Sequence, residues 1–179
     1  MIGPKRLAAA ALSSAIALTD CAPPSGRAAP VAPVPTTSTA PPPQALRATV
    51  AYVIDGDTII VRARARRLRV RLLGIDAPED TRRRDCFGAQ ATAALRGLLP
   101  EDTAIMVAVD RRRADPYGRA LGYVWRPDGV FVNRVLIRRG YATTLFLPPD
   151  GPYHAELTAA EALARASRAG LWRACRRHP

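Results

Sequence analysis

The sequence predicts a mainly-β α+β domain, a small five-stranded barrel carrying three helices. Two observations predict it. First, 47–54, 58–65 and 68–75 alternate apolar and polar residues and follow one another through short turns, the pattern of consecutive half-buried strands. Second, two further extended stretches, 103–109 and 119–125, arrive with few of the long crossovers that a parallel sheet needs. Short strands without such crossovers favour a small antiparallel barrel.

Each element has its own signature. In the third strand Val70, Leu72 and Gly74 share one face, and Arg69, Arg71 and Leu73 share the other. Residues 89–99 have helical composition, with Gly88 near the start and Pro100 at the end. The run TAIMVAV at 103–109 reads as a buried strand, and RALGYVW at 119–125 as another, followed by a Pro127-Asp128-Gly129 turn. FVNRVLIRR at 131–139 reads as a short amphipathic helix stopped by Gly140. Residues 141–147 are extended, and 154–167 form a longer helix, rich in alanine and glutamate, that ends near Gly170. The order βββαββαβα fits a five-stranded Greek-key barrel of the oligonucleotide-binding (OB) type.

The N-terminus stands apart from the fold. Lys5-Arg6 precedes an apolar run, Leu7 to Leu18, that is too short to span a bilayer as a mature helix, so residues 1–21 read as an export signal. Cys21 stands where a bacterial lipoprotein would be lipidated, although Asp20 occupies a place that normally holds a small neutral residue. The alternatives are cleavage a few residues later, for example after Ala28-Ala29, or an uncleaved anchor. Residues 22–45 are dominated by Pro, Ala, Ser and Thr with Arg27 as the only charge, and the first aromatic residue of the chain is Tyr52. Such a segment cannot build a core and reads as a tether. The folded domain is expected over 46–175 with a tail at 176–179, in an exported protein that is secreted, periplasmic or held on a membrane by an N-terminal lipid.

Composition bounds the function. The 179 residues carry a formal net charge of +12, and Lys5 is the only lysine. Arginine stays ionised and presents a planar fork that matches phosphate oxygens, so polyanions are the natural partners. The plain alternative is that arginine solubilises the surface. With two histidines, one of them His178 in the tail, a histidine-rich metal site is not expected. Setting Cys21 aside leaves Cys86 and Cys175 as an even pair, either bridged in an oxidising compartment or present as two buried thiols.

Two clusters carry chemistry. Asp55-Gly56-Asp57-Thr58 puts carboxylates at a turn, and Arg71-Leu72-Leu73-Gly74-Ile75-Asp76-Ala77-Pro78-Glu79 follows at about a strand's length. Alone, Asp-Gly-Asp is a common turn sequence. Carboxylates kept within so positive a chain point to a hard cation. Asp57 and Asp76 with a main-chain carbonyl would suit Ca²⁺ or Mg²⁺, with water completing the shell. Asp55 either supports those ligands or shapes the turn. Glu79, fixed behind Pro78, can accept a proton from a water near the metal, or can simply pair with the 82–84 arginine run. Arg71 and Arg119 can fork onto phosphate oxygens and stabilise a pentacoordinate transition state.

Together these residues resemble the staphylococcal nuclease (thermonuclease) family. The resemblance runs from about Val50 to Trp172 through VIDGDT at 53–58, RLLGIDAPE at 71–79, DPYGRALGYV at 115–124, VNRVLIRRGYA at 132–142 and AEALARASRAGLW at 160–172. It implies an OB-fold barrel with three helices and Ca²⁺-dependent cleavage of DNA and RNA leaving 3′-phosphates. It further implies that Asp57, Asp76 and the main-chain carbonyl of Ala77 hold calcium, and that Arg71, Glu79 and Arg119 are the catalytic set. A monomer is expected. Pro116 stands where the family has a basic residue, and the 143–148 segment lacks tyrosines found in the family. Phe146 is left to stack on a base without a hydroxyl, and Tyr117 remains available for substrate contact.

Overall fold

The computed structural model describes residues 40–80, 85–110, 117–146 and 151–176. The export-signal and lipidation readings, residues 22–39 of the tether, the 82–84 arginine run and Pro116 lie outside them.

Strands β1 (Leu46–Val53), β2 (Thr58–Ala63) and β3 (Arg66–Leu72) form an antiparallel meander. The β2–β3 hairpin turns on Arg64 and Ala65, both left-handed with φ of 47° and 61°, the backbone that a two-residue hairpin with the right twist requires. β3 ends at Leu72, three residues before the end of the 68–75 stretch read from the alternation. Leu72 donates its N–H to the carbonyl of Asp57 and Leu73 donates to Gly122. Gly74 then takes φ +73°, and a separate short strand, β4 (Gly74–Asp76), begins. A Cβ at Gly74 would stand 2.6 Å from Leu157 Cδ1, so glycine satisfies both the backbone and the packing there.

Helix α1 (Gly88–Leu98) follows, burying Ala91, Thr92 and Leu95. Strands β5 (Ala104–Val109) and β6 (Ala120–Trp125) complete a closed barrel in the order β1-β2-β3-β6-β5. The closing β3–β6 pair is parallel, with Val70 opposite Ala120 and Leu72 opposite Gly122. The barrel is therefore mixed, where the strand pattern predicted an antiparallel one. Strand alternation cannot report this, because it fixes faces and not strand direction.

Helix α2 (Val132–Arg138) packs on β6, and β7 (Thr143–Leu145) pairs antiparallel with β4, Thr143 opposite Asp76. Asn133, fully buried on α2, accepts from the Val124 N–H at 3.0 Å and donates to the Leu73 carbonyl at 2.8 Å. It thus satisfies the main chain at the β3–β4 break. Helix α3 (His154–Ala166) buries Leu157, Ala160 and Ala164 as one stripe, with Glu156 in its first turn and Arg165 in its last, as the helix dipole favours. A short α4 (Leu171–Ala174) ends the chain's ordered elements beside a Cys86–Cys175 disulfide, Cα–Cα 5.9 Å. The five-stranded barrel with its three principal helices is the α+β, mainly-β class read from the sequence.

Candidate active site

The site begins at the β1–β2 turn. The Asp55 carboxylate accepts the Asp57 N–H at 3.1 Å and so closes the turn that carries Asp57. A Cβ on Gly56 would stand 2.6 Å from the Ala77 Cβ and 2.9 Å from the Ala91 Cβ. Only glycine lets the turn press this closely against both the residue after β4 and α1.

That approach delivers Asp57 to the start of the second cluster. Asp57 Oδ2 accepts the Ala77 N–H at 2.9 Å and pairs with Arg71 Nη1 at 2.8 Å, while Oδ1 accepts from the Thr58 hydroxyl at 3.1 Å. The same guanidinium reaches Asp76 Oδ1 through Nη2 at 2.7 Å and the Ile75 carbonyl through Nη1 at 2.9 Å. Arg71 thus spans both carboxylates from the end of β3. The β3–β4 break makes this possible by folding Asp76 back toward the strand that carries Arg71. The Thr143 hydroxyl donates to the Asp76 carbonyl at 3.3 Å and anchors β4 to β7.

Exposure separates the two acids. The Asp57 side chain is 9% exposed and that of Asp76 43%, so Asp76 forms the open side. Burial pushes the Asp57 carboxyl up to about 7. Arg71 and the Ala77 N–H pull it back down, while Asp55 and Asp76 push it further up. Burial thus outweighs the guanidinium and the N–H that favour the ionised form. Among the described residues there is no group of three or more His, Cys, Asp or Glu poised as a metal site. The Asp57 and Asp76 carboxylates, both facing one guanidinium, are oxygen donors of the kind a hard cation takes.

Glu79 is positioned through its backbone. Its N–H donates to the Asp85 carboxylate at 3.3 Å, and its carbonyl accepts the Asp85 N–H at 2.7 Å. A Cβ on Gly88 would collide with that carbonyl, so glycine at the head of α1 is what allows the Glu79 main chain to lie there. The Glu79 side chain is exposed. Asp85 and Gly88 were not singled out from the sequence as site residues, and only Gly88's place at a helix start hinted at a close approach.

The β3–β6 register sets Leu121 opposite Arg71, so Arg119 enters two residues before that level. Its guanidinium lies over the Tyr117 ring, 5.4 Å from the centroid, and Tyr117 is 78% exposed. Gly118 between them has φ +71° with open space around it. Phe146 is half-buried and packs edge-on against His154, ring centroids 4.1 Å apart. Its ring is engaged in the fold beside Gly74.

The geometry therefore gathers Asp57, Arg71, Asp76 and Ala77 into one cluster, with Glu79 three residues beyond Asp76 and Arg119 entering from β6. Comparison with known proteins places this cluster in a family. The model of the staphylococcal nuclease homologues matches residues 69–174. The chain is 34% identical over 126 residues to the thermonuclease of Staphylococcus intermedius, covering 69% of this chain and 74% of that protein. It is 35% identical over 123 residues to an uncharacterized endonuclease of Escherichia coli, with the same coverage. A third relative, protein ParB of Escherichia coli, is 37% identical over 135 residues, covering 71% of this chain and 72% of that protein. The chain belongs to the staphylococcal nuclease family.

Proposed function

We propose that the chain is an exported, Ca²⁺-dependent endonuclease that hydrolyses phosphodiester bonds of DNA and RNA and leaves 3′-phosphates. Relatives named thermonuclease and endonuclease support a hydrolytic nuclease. The observation that carries the reading is Arg71 spanning Asp57 and Asp76 at 2.8 and 2.7 Å, a cation-and-anion cluster at the edge of a basic barrel.

Asp57, Asp76 and the Ala77 carbonyl would hold the calcium. Bound there, it would polarise the phosphodiester and draw charge from its oxygens. Arg71 presents N–H groups to a non-bridging oxygen and stabilises the charge that accumulates as phosphorus becomes five-coordinate. Arg119 does the same from the β6 side and can protonate or shield the departing 5′ oxygen. Glu79, exposed and anchored by its main chain to Asp85, orients the attacking water and receives its proton. Tyr117 offers a ring and a hydroxyl to the neighbouring nucleotide. The chain works as a monomer, either released or tethered to a membrane through a lipid on Cys21.

The test is hydrolysis of denatured DNA and of RNA by the purified chain, with Ca²⁺ or with chelator. Cleavage with Ca²⁺ alone, and 3′-phosphate ends by mass spectrometry, are expected. Binding without cleavage under both conditions would instead make the chain a non-catalytic nucleic-acid-binding module.

A further inference from the structure

β3 carries arginine at every second position. Arg67, Arg69 and Arg71 share the outer face, with Leu68, Val70 and Leu72 turned inward. Two residues of strand advance about 7 Å, close to the phosphate-to-phosphate step of an extended single strand. Arg71 is the arginine of this row that pairs with the carboxylates of the site. Arg67 and Arg69 are exposed and have no ion-pair partner among the described residues.

The neighbouring strands extend this surface. Arg62 lies directly opposite Arg67, and Ile60 lies opposite Arg69. Tyr52, 45% exposed, lies opposite Ile60 on β1. Like charges facing one another across a sheet are destabilising, and only Arg62 is relieved, by Asp102. A ladder of unneutralised guanidiniums beside an exposed aromatic ring serves a polyanion that also offers flat faces.

We propose that the outer face of β1–β2–β3 is a track for a single-stranded polynucleotide, with Arg69 and Arg67 taking successive phosphates beyond the one held at Arg71 and Tyr52 stacking on a base. The proposal rests on the nuclease reading for its direction toward Arg71. A lipid headgroup layer would also accept arginines, but the even spacing along one strand and the continuity with Arg71 favour a chain of phosphates.

The experiment is fluorescence anisotropy with labelled dT2 and dT12, in chelator so that nothing is cleaved. The wild-type chain is compared with Arg67→Ala/Arg69→Ala, Arg67→Lys/Arg69→Lys and Tyr52→Ala. The double alanine variant should weaken dT12 about tenfold or more while changing dT2 less than twofold. Its log–log salt slope should fall by about 0.7 per arginine removed. The lysine variant should retain most of the binding, and Tyr52→Ala should weaken dT12 by about tenfold. Equal losses on dT2 and dT12, no loss, or a loss seen only on phosphatidylglycerol vesicles would overturn the track. A chain that binds dT12 through these residues yet cleaves nothing with Ca²⁺ refutes the nuclease reading and leaves the track standing.

Discussion

The site has two walls built on different principles. The barrel wall, Asp57, Arg71 and Asp76, is cross-linked: one guanidinium, 14% exposed, spans both carboxylates, and main-chain groups take up further valences. The loop wall carries Glu79 and Arg119 on exposed or half-exposed chain beside Asp85 and Tyr117. The first wall is part of what holds the fold together. The second carries its side chains on more exposed chain. Charged groups of the same kind thus differ in what their loss removes.

Removing one arginine from each wall sharpens this most. Arg71→Ala leaves Asp57 buried without its cation; the carboxyl then stays protonated, and losing the two ion pairs and the bond to the Ile75 carbonyl costs about 1–3 kcal/mol. It should lower both the denaturation midpoint and turnover. Arg119→Ala should lower turnover by about 10²–10³ and move stability by less than about 0.5 kcal/mol. Urea denaturation and initial rates on denatured DNA, measured on both variants, check this. Equal destabilisation by the two changes would erase the distinction between the walls.

The disulfide belongs to the loop wall, because Cys86 adjoins Asp85, which holds the Glu79 main chain. It joins residues 89 apart. Closing so long a loop restricts the unfolded chain, and its loss costs about 2–5 kcal/mol. Cys86→Ser/Cys175→Ser should lower the melting temperature strongly yet keep turnover within a few-fold at temperatures where the variant is folded. A collapse of turnover in the folded variant would show that the bridge positions Glu79 more tightly than its backbone bonds imply.

A smaller effect contrasts two glycines. Gly56→Ala must displace Ala77 or Ala91, both buried, and overpacking of this kind costs about 1–3 kcal/mol. It should also weaken Ca²⁺ binding, because the displaced segment carries the Asp57 and Ala77 donors. Gly118→Ala meets open space and costs only its left-handed φ, about 1 kcal/mol. Calorimetric titration of Ca²⁺ into each variant separates them, and comparable loss of affinity in both would contradict the placement of the cation against the barrel wall.

Much of this was legible in the chain because it is local. Alternation in 66–72 reports which side of β3 is buried, and Asp-Gly-Asp reports a turn. That Asp57, Arg71 and Asp76 could meet was legible from two clusters a strand apart, and the resemblance to the family joined them. What was not legible is relational. The parallel closure of β3 on β6, the pairing of β4 with β7 and the reach of Asn133 to Leu73 join residues far apart in sequence, and no local pattern encodes them. Phe146 shows the same limit. The resemblance to the family offers its ring to a base, and its neighbour His154 arrives only through α3.

The last contrast is between the barrel wall with and without the proposed cation. Burial raises the Asp57 carboxyl from an ordinary value of 3.8 to about 7. A carboxyl whose folded value lies above its unfolded one favours folding when protonated. Its contribution is therefore complete below about pH 4 and fades as pH rises through about 7. In chelator, the stability of the wild-type chain relative to Asp57→Asn should fall between pH 4 and pH 7 and level off above that. Saturating Ca²⁺ should restore the wild type at pH 8 and do little at pH 5, where the ion must compete with a proton for the same oxygens. The Asn variant should show neither trend. Urea midpoints at pH 5 and pH 8, with and without Ca²⁺, read both effects. A Ca²⁺ stabilisation of equal size at the two pH values would mean that the buried acid is not a ligand, and that the cation sits on the open side with Asp76 alone.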